Sequence, residues 1–180
     1  MADPRPIGVF DSGVGGLTKS GAGTLTLSTA NTHSGGTTWR PMSDRHFASS
    51  SVGAIGVCEA NPDVVYVGMG EVQLRGNIMQ GDGVYKTIDA GKTWTFLNNV
   101  NNRPMYYSQI VVHPTNPDIV VQGGATAMRS VDGGKTWIPF RGTGHGDYHG
   151  FWFNPKDPRV LWTGHDGGLD VSYDTGVTWD

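Results

Sequence analysis

Cleavage of a glycosidic bond needs two carboxyl groups about 5–10 Å apart across a cleft, one to protonate the leaving oxygen and one to act as base or nucleophile. Of the sixteen acidic residues, three fall in repeat motifs and three in Pro turns, and among the rest the candidates are Glu71, Asp82, Asp147 and Asp166. These are the candidate catalytic carboxylates; the competing reading makes them solvated loop acids or turn caps. A second grouping is His145-Gly146-Asp147-Tyr148-His149. In an extended backbone His145, Asp147 and His149 point to one side, the donor set a divalent metal takes. The competing reading has one histidine capping a loop and the other packed near the centre of the fold. No cofactor is expected, and these three are the only candidate metal ligands. Tyr106, Tyr107, Trp152 and Trp162 could stack against sugar rings, although aromatic residues in strands more often fill a core.

Bulk properties narrow the choice of chemistry. Thirteen basic and sixteen acidic residues give a net charge of −3 with no charge run, so the electrostatic footprint of a nucleic-acid binder is missing. Cys58 is the single cysteine; it excludes an internal disulfide or a multi-cysteine metal site and reads as a buried, inert thiol. No stretch approaches the roughly 18 apolar residues of a membrane span, and no export signal is visible at the N-terminus. With 28 glycines and 10 prolines among 180 residues, the chain is rich in turns, yet below the composition of a disordered segment.

The elements that must hold these residues are set by a repeat. Thr87-Ile88-Asp89-Ala90-Gly91-Lys92-Thr93-Trp94, Ser130-Val131-Asp132-Gly133-Gly134-Lys135-Thr136-Trp137 and Ser172-Tyr173-Asp174-Thr175-Gly176-Val177-Thr178-Trp179 share one template, with aspartates 43 and 42 residues apart. A degenerate copy, Thr32 to Trp39, carries Ser34 in place of the aspartate. In phase with the boxes run pairs of β-branched segments around Asn61-Pro62-Asp63, Asn116-Pro117-Asp118 and Asp157-Pro158-Arg159. In these turns Asp63, Asp118 and Asp157 are expected to cap the backbone. Each unit reads strand, Pro turn, strand, link, strand, box turn, strand, with no 3.6-residue periodicity. In the box the aspartate accepts backbone N–H groups, the glycine supplies a left-handed backbone angle and the tryptophan buries area. Asp89, Gly91, Trp94, Asp132, Gly134, Trp137, Asp174, Gly176 and Trp179 are therefore expected to be structural.

The three boxes resemble the BNR/Asp-box repeat, and the resemblance runs from about Trp39 to Asp180. The stretches Ser51–Ile55, Val65–Glu71, Gly81–Lys86, Asn102–Ile110 and Gly164–Gly168 are most similar to the sortilin/Vps10-like, glycosyl hydrolase-like group. The resemblance implies an all-β, partial β-propeller of about three four-stranded antiparallel blades, preceded by a hairpin, and an extracytoplasmic location. It also implies that the links holding Glu71 and Asp82 reach the ligand face. Related propellers include sialidases, xyloglucan-degrading enzymes, receptors and binding proteins, so the fold leaves the function open. The eight arginines are scattered without the arginine triad that sialidases use.

Residues 5–18 resemble the opening of glutamate racemase, with Asp11 and Ser12 at the positions that would face the substrate; that enzyme needs two cysteines and only Cys58 is present. Residues 19–37 resemble an autotransporter passenger repeat. Two unrelated resemblances ahead of the boxes imply a mosaic, recombined or designed chain.

The expected organisation is a leader at 1–20, a strand with the degenerate box hairpin at 21–49, and blades at about 50–100, 101–144 and 145–180. Three blades do not close a ring of the usual four to eight. The expected function is a non-catalytic scaffold that binds a protein or a glycan. The alternatives are a glycoside hydrolase acting on polysaccharide and a mosaic without a ligand. Neither nucleic acid nor membrane is expected as a partner, and open blade edges are expected to invite self-association.

Overall fold

The computed structural model describes residues 45–48, 52–70, 81–99 and 109–180. Every regular element among them is a β-strand, and no described helix is long and apolar enough to cross a membrane. The leader, the degenerate box, Glu71, Tyr106 and Tyr107 lie outside the described residues.

Blade 1 comprises β1 (Val52–Cys58), β2 (Asn61–Met69), β3 (Val84–Thr87) and β4 (Thr95–Asn98), hydrogen-bonded in that order. Blade 2 comprises β5 (Ile110–Val112), β6 (Val120–Gln122), β7 (Met128–Ser130) and β8 (Ile138–Pro139), again in sequence order. Blade 3 comprises β9 (Tyr148–Phe153), β10 (Leu161–His165) and β11 (Gly168–Ser172). All pairs are antiparallel, as short connections between neighbouring strands dictate. Asp180 pairs with β11: its N–H donates to the Val171 carbonyl (2.9 Å) and its carbonyl accepts from the Val171 N–H (3.1 Å).

The blades are in register with one another. Val65 lies opposite Thr87, Val120 opposite Ser130 and Leu161 opposite Ser172, so each position in one sheet has a counterpart in the next. Alternation gives each sheet two apolar faces: a front face toward the preceding blade and a rear face toward the following one. The core is correspondingly layered. Ala54, Cys58, Val64, Tyr66, Val84 and Leu97 from the rear of blade 1 meet Ile110, Val112, Val120 and Trp137 from the front of blade 2. Val111, Ile119, Val121, Ala127 and Phe140 from blade 2 meet Phe151, Phe153, Leu161 and Trp179 from blade 3. The front of blade 1, with Val65, Val67, Met69 and Tyr85, is covered by Phe47 and Val52.

In blade 2 the box glycine admits an apolar side chain of the preceding blade, since a Cβ on Gly134 would lie 2.4 Å from Leu97 Cδ1; a Cβ on Gly176 would first meet Leu161 and Trp179 of its own blade, at 3.3 and 3.4 Å. The boxes also dock within their own blades. The residue before each box glycine donates its N–H to the Pro turn, Ala90 to Asp63, Gly133 to Asp118 and Thr175 to Arg159, at 3.1, 2.9 and 2.8 Å.

Candidate functional site

At the end of the fold where Pro turns and box turns meet, the aspartates are consumed by structure. Thr87, Ser130 and Ser172 donate their hydroxyls to Oδ1 of Asp89, Asp132 and Asp174 at 2.7, 2.8 and 2.7 Å. The same carboxylates accept the N–H of Thr93, Thr136 and Thr178 at 2.9, 2.9 and 2.8 Å, and each threonine hydroxyl at 2.6 Å. The Thr136 hydroxyl and N–H, with Ser130 behind them, hold the Asp132 carboxyl down at about 2. Asp89 is held lower still, chiefly by Thr93. At Asp174 burial opposes the shift, but Thr178, Ser172 and Val177 outweigh it. Such a carboxylate is a poor general acid or base near neutral pH.

The Pro turns differ from expectation in one respect. Asp157 caps its turn, accepting the Arg159 N–H at 3.3 Å and pairing with the Arg159 guanidinium at 2.8 and 2.9 Å. In blade 2, however, Asn116 takes that role, accepting from the Asp118 N–H at 3.0 Å. The capping position is the residue before proline, since only its side chain reaches the N–H two residues on; Asp118 instead stands 3.7 Å from Lys86. Cys58 is buried, and its thiol faces the carbonyls of His113 and Pro114 at 3.5 Å.

At the opposite end lie Asp82 in the β2–β3 link, His145 and Asp147 in the β8–β9 link, His149 in β9 and Asp166 in the β10–β11 link. Asp82 accepts the Tyr85 hydroxyl at 2.6 Å; burial, then this bond, raises the phenol above its ordinary value, so it stays a donor. Asp166 meets His149 Nε2 at 2.5 Å, both partly exposed. Asp147 donates its N–H to the Ala125 carbonyl. Its φ is +57°, and β9 begins only at Tyr148. The expectation of an extended run through 145, 147 and 149 is thereby corrected: a left-handed residue at 147 breaks the alternation. Among the described residues no three His, Cys, Asp or Glu side chains stand close enough to hold a metal ion. His145 stacks on His165, 6.1 Å between ring centroids.

Sequence reasoning missed a fully hydrogen-bonded pair on this rim. His165 Nδ1 accepts the Gly167 N–H at 3.1 Å, so Nε2 carries the proton and donates to Asp170 at 2.9 Å. Asp170 also accepts the Gly144 N–H at 2.7 Å, tying the β8–β9 link to blade 3. With both ring nitrogens engaged, His165 positions loops and has no lone pair left for a substrate proton. His113 was missed as well. It caps the blade 2 Pro turn by accepting the N–H groups of Thr115 and Asn116 at 3.3 and 3.1 Å, and burial depresses its basicity against the pull of the Pro158 carbonyl. The His165–Asp170 arrangement has no local motif, since it also uses Gly144 from another link, whereas the His113 cap lies within three residues of the histidine.

The concave side holds a groove of about 310 Å³ lined by the first strands of all three blades: Ile55 and Val57, Ile110 to Val112, and Phe151 to Phe153 among others. Among the described residues its only carboxylate is Glu59. Trp152 and Trp162, cross-strand partners in blade 3, are exposed rather than packed in the core.

The fold is similar over 73% of the chain to the crystal structure of the GH74 enzyme of Niastella koreensis, at a TM-score of 0.54 and 19% identity, covering 22% of that chain. The GH74 xyloglucanase of Xanthomonas campestris matches over 73% at 0.53 and 16% identity, covering 23% of its length. YCF48 from Cyanidioschyzon merolae matches over 74% at 0.48 and 20% identity, covering 38%. The chain thus spans under a quarter of the GH74 structures. The passenger-associated-transport-repeat family model matches residues 17–38, where the sequence resembles an autotransporter repeat. No curated protein matches significantly. At these identities the likeness shows the fold alone: part of a β-propeller.

Proposed function

We propose that these blades form a non-catalytic binding scaffold whose ligand is a protein segment with apolar side chains, seated in the groove of the inner strands. One observation carries the reading: among the described residues the groove is lined mainly by valine, isoleucine, phenylalanine and tryptophan, with Glu59 the single acid. Two facing carboxylates are the minimum for glycoside hydrolysis, whereas an apolar floor with few polar groups is what a peptide side chain buries against. The rim acids support the same reading, because Asp82 and Asp166 each already answer a partner on their own hairpin or blade. A glycan ligand and a glycoside hydrolase remain the competing readings.

The test pairs a peptide array with a glycan array on the same chain, and follows release of reducing ends from xyloglucan in parallel. Apolar peptides should bind, and Val57→Asp, in the groove and 40% exposed, should abolish that binding. Release of reducing ends that disappears in Asp166→Asn would overturn the proposal.

A further inference from the structure

Three aspartates in this chain are followed directly by glycine: Asp82-Gly83, Asp132-Gly133 and Asp166-Gly167. In that dipeptide the backbone nitrogen of the second residue closes on the carboxyl of the first with least hindrance, because glycine has no Cβ to obstruct the five-membered ring. The fold treats the three very differently.

Asp132 is locked in its box. Its carboxylate accepts the hydroxyls of Ser130 and Thr136 and the N–H groups of Lys135 and Thr136, while the Gly133 N–H donates to the Asp118 carbonyl. A fully solvated anion repels a nucleophile, and an N–H resting on a carbonyl meets no base. At Asp82 the partner is the Tyr85 phenol, a weak acid. Gly83 is buried, with the Asn98 carbonyl oxygen 2.0 Å from where a Cβ would stand, so this link has no room to rearrange.

Asp166 and Gly167 are the two residues that join β10 to β11, between the cross-strand partners His165 and Gly168, and both are exposed. His149 Nε2 stands 2.5 Å from Asp166 Oδ1, with the two side chains open to water at 38% and 52%. The Gly167 N–H donates to His165 Nδ1 at 3.1 Å, and Asp170 on Nε2 at 2.9 Å fixes the tautomer that leaves this lone pair available. One imidazole thus faces the carboxyl oxygen and another the amide proton. Those are the places of an acid and a base for condensing the two groups.

We propose that Asp166-Gly167 is a self-modifying site, at which the Gly167 nitrogen attacks the Asp166 carboxyl to give a cyclic imide and, on hydrolysis, isoaspartate. The proposal does not rest on the scaffold reading. Protonated His149 gives its Nε2 proton to Oδ1 and makes the carboxyl electrophilic. His165 Nδ1 takes the Gly167 amide proton as the N–Cγ bond forms, and passes it through solvent to the departing oxygen. The bond from Cγ to Oδ1 breaks and one water leaves. Carboxylate, imidazolium and amide N–H become imide, water and neutral imidazole, so the step needs no other reactant. Water then opens the imide at either carbonyl. Opening at the backbone carbonyl routes the chain through the aspartate side chain and lengthens the two-residue link by one carbon.

Incubation of the full chain at neutral pH, followed by peptide mapping with mass spectrometry and isoaspartyl methylation, tests this. Loss of one water and then isoaspartate should appear at Asp166 ahead of Asp82 and Asp132, and faster in the folded protein than in urea. His149→Ala should slow the reaction at Asp166 by about tenfold or more with an unchanged circular dichroism spectrum, and added imidazole should restore part of the rate. The comparison of folded and unfolded wild type needs no variant, so it decides the matter even where a histidine variant misfolds. Equal rates in the folded and unfolded chain, an even spread over the three dipeptides, or a folded His149→Ala variant as fast as wild type would each overturn the proposal.

Discussion

The guanidinium of Arg129 in blade 2 donates to the carbonyl of Thr175 in the box turn of blade 3, 2.8 Å away. Lys86 in blade 1 does the same to Gly133 in the box of blade 2, at 3.2 Å. Lys86 and Arg129 are counterparts in the third strands, and Gly133 and Thr175 are counterparts in the boxes. The motif that folds each hairpin thus also presents a carbonyl to the blade before it. Lys86 gains further from the Tyr66 ring, 5.0 Å below its ammonium, a cation–π contact.

Removing this link should loosen the blades without unfolding any one of them. Arg129→Ala is expected to lower stability by about 1 kcal/mol, a charge-assisted hydrogen bond discounted for partial exposure. Arg129→Lys should recover part of the loss. Chemical denaturation would measure both, and an Arg129→Ala midpoint equal to wild type would show that the contact is decorative.

The strands, the box turns and their spacing were legible in the sequence because each is set locally: β-branched runs between turn residues, and a turn whose hydrogen bonds span four residues. The candidate site was much less so. Asp147 looks like a member of an alternating His-x-Asp-x-His strand, but its backbone is left-handed because the link docks on Ala125 of the neighbouring β6–β7 turn. His165 and Asp170 carry no recognisable motif, since their partnership depends on a hairpin register and on Gly144 from another link. Trp152 and Trp162 read as core residues, and their exposure follows only from which faces of which blades meet.

Ser172 shows how much of a box depends on one hydroxyl. It is fully buried, donates to Asp174 and accepts the Gly176 N–H at 2.7 Å. Ser172→Ala strands that buried N–H, at a cost of about 1–3 kcal/mol. Ser172→Thr should be tolerated far better, because Thr87 fills the same place in blade 1. Thermal unfolding of the two variants separates the outcomes, and equal losses would rule out the hydroxyl as the cause.

Thr175 is a β-branched residue at φ +63°, where blade 2 has Gly133 at +76°. A left-handed backbone costs a non-glycine residue about 1–2 kcal/mol, and glycine returns about 0.5–1 kcal/mol of that through greater unfolded-state freedom. Thr175→Gly should therefore raise stability by roughly 0.5–1 kcal/mol. Its backbone bonds to Arg129 and Arg159 are unaffected by the change. A lower melting temperature would mean the threonine side chain makes a contribution of its own.

Acid should dismantle the boxes in a defined window. The Asp132 carboxyl falls from an ordinary 3.8 to about 2 on folding, and those of Asp89 and Asp174 fall as well. A carboxyl depressed by folding stabilises the protein above its unfolded value, and that contribution drains away as pH drops through the folded one. Stability should thus decline steeply between about pH 4 and pH 2 as the three boxes take up protons on unfolding. His113, whose basicity burial depresses, acts in the same direction but begins near its ordinary 6.5, so the two phases are separable. Asp132→Asn keeps an acceptor in the turn and removes one titrating group. Its stability should be lower at neutral pH, where the charged acceptor is lost, and should fall less steeply below pH 4. Denaturation midpoints across that range would decide it, and parallel slopes in the two proteins would mean that the box carboxylates are not the groups whose protonation unfolds the chain.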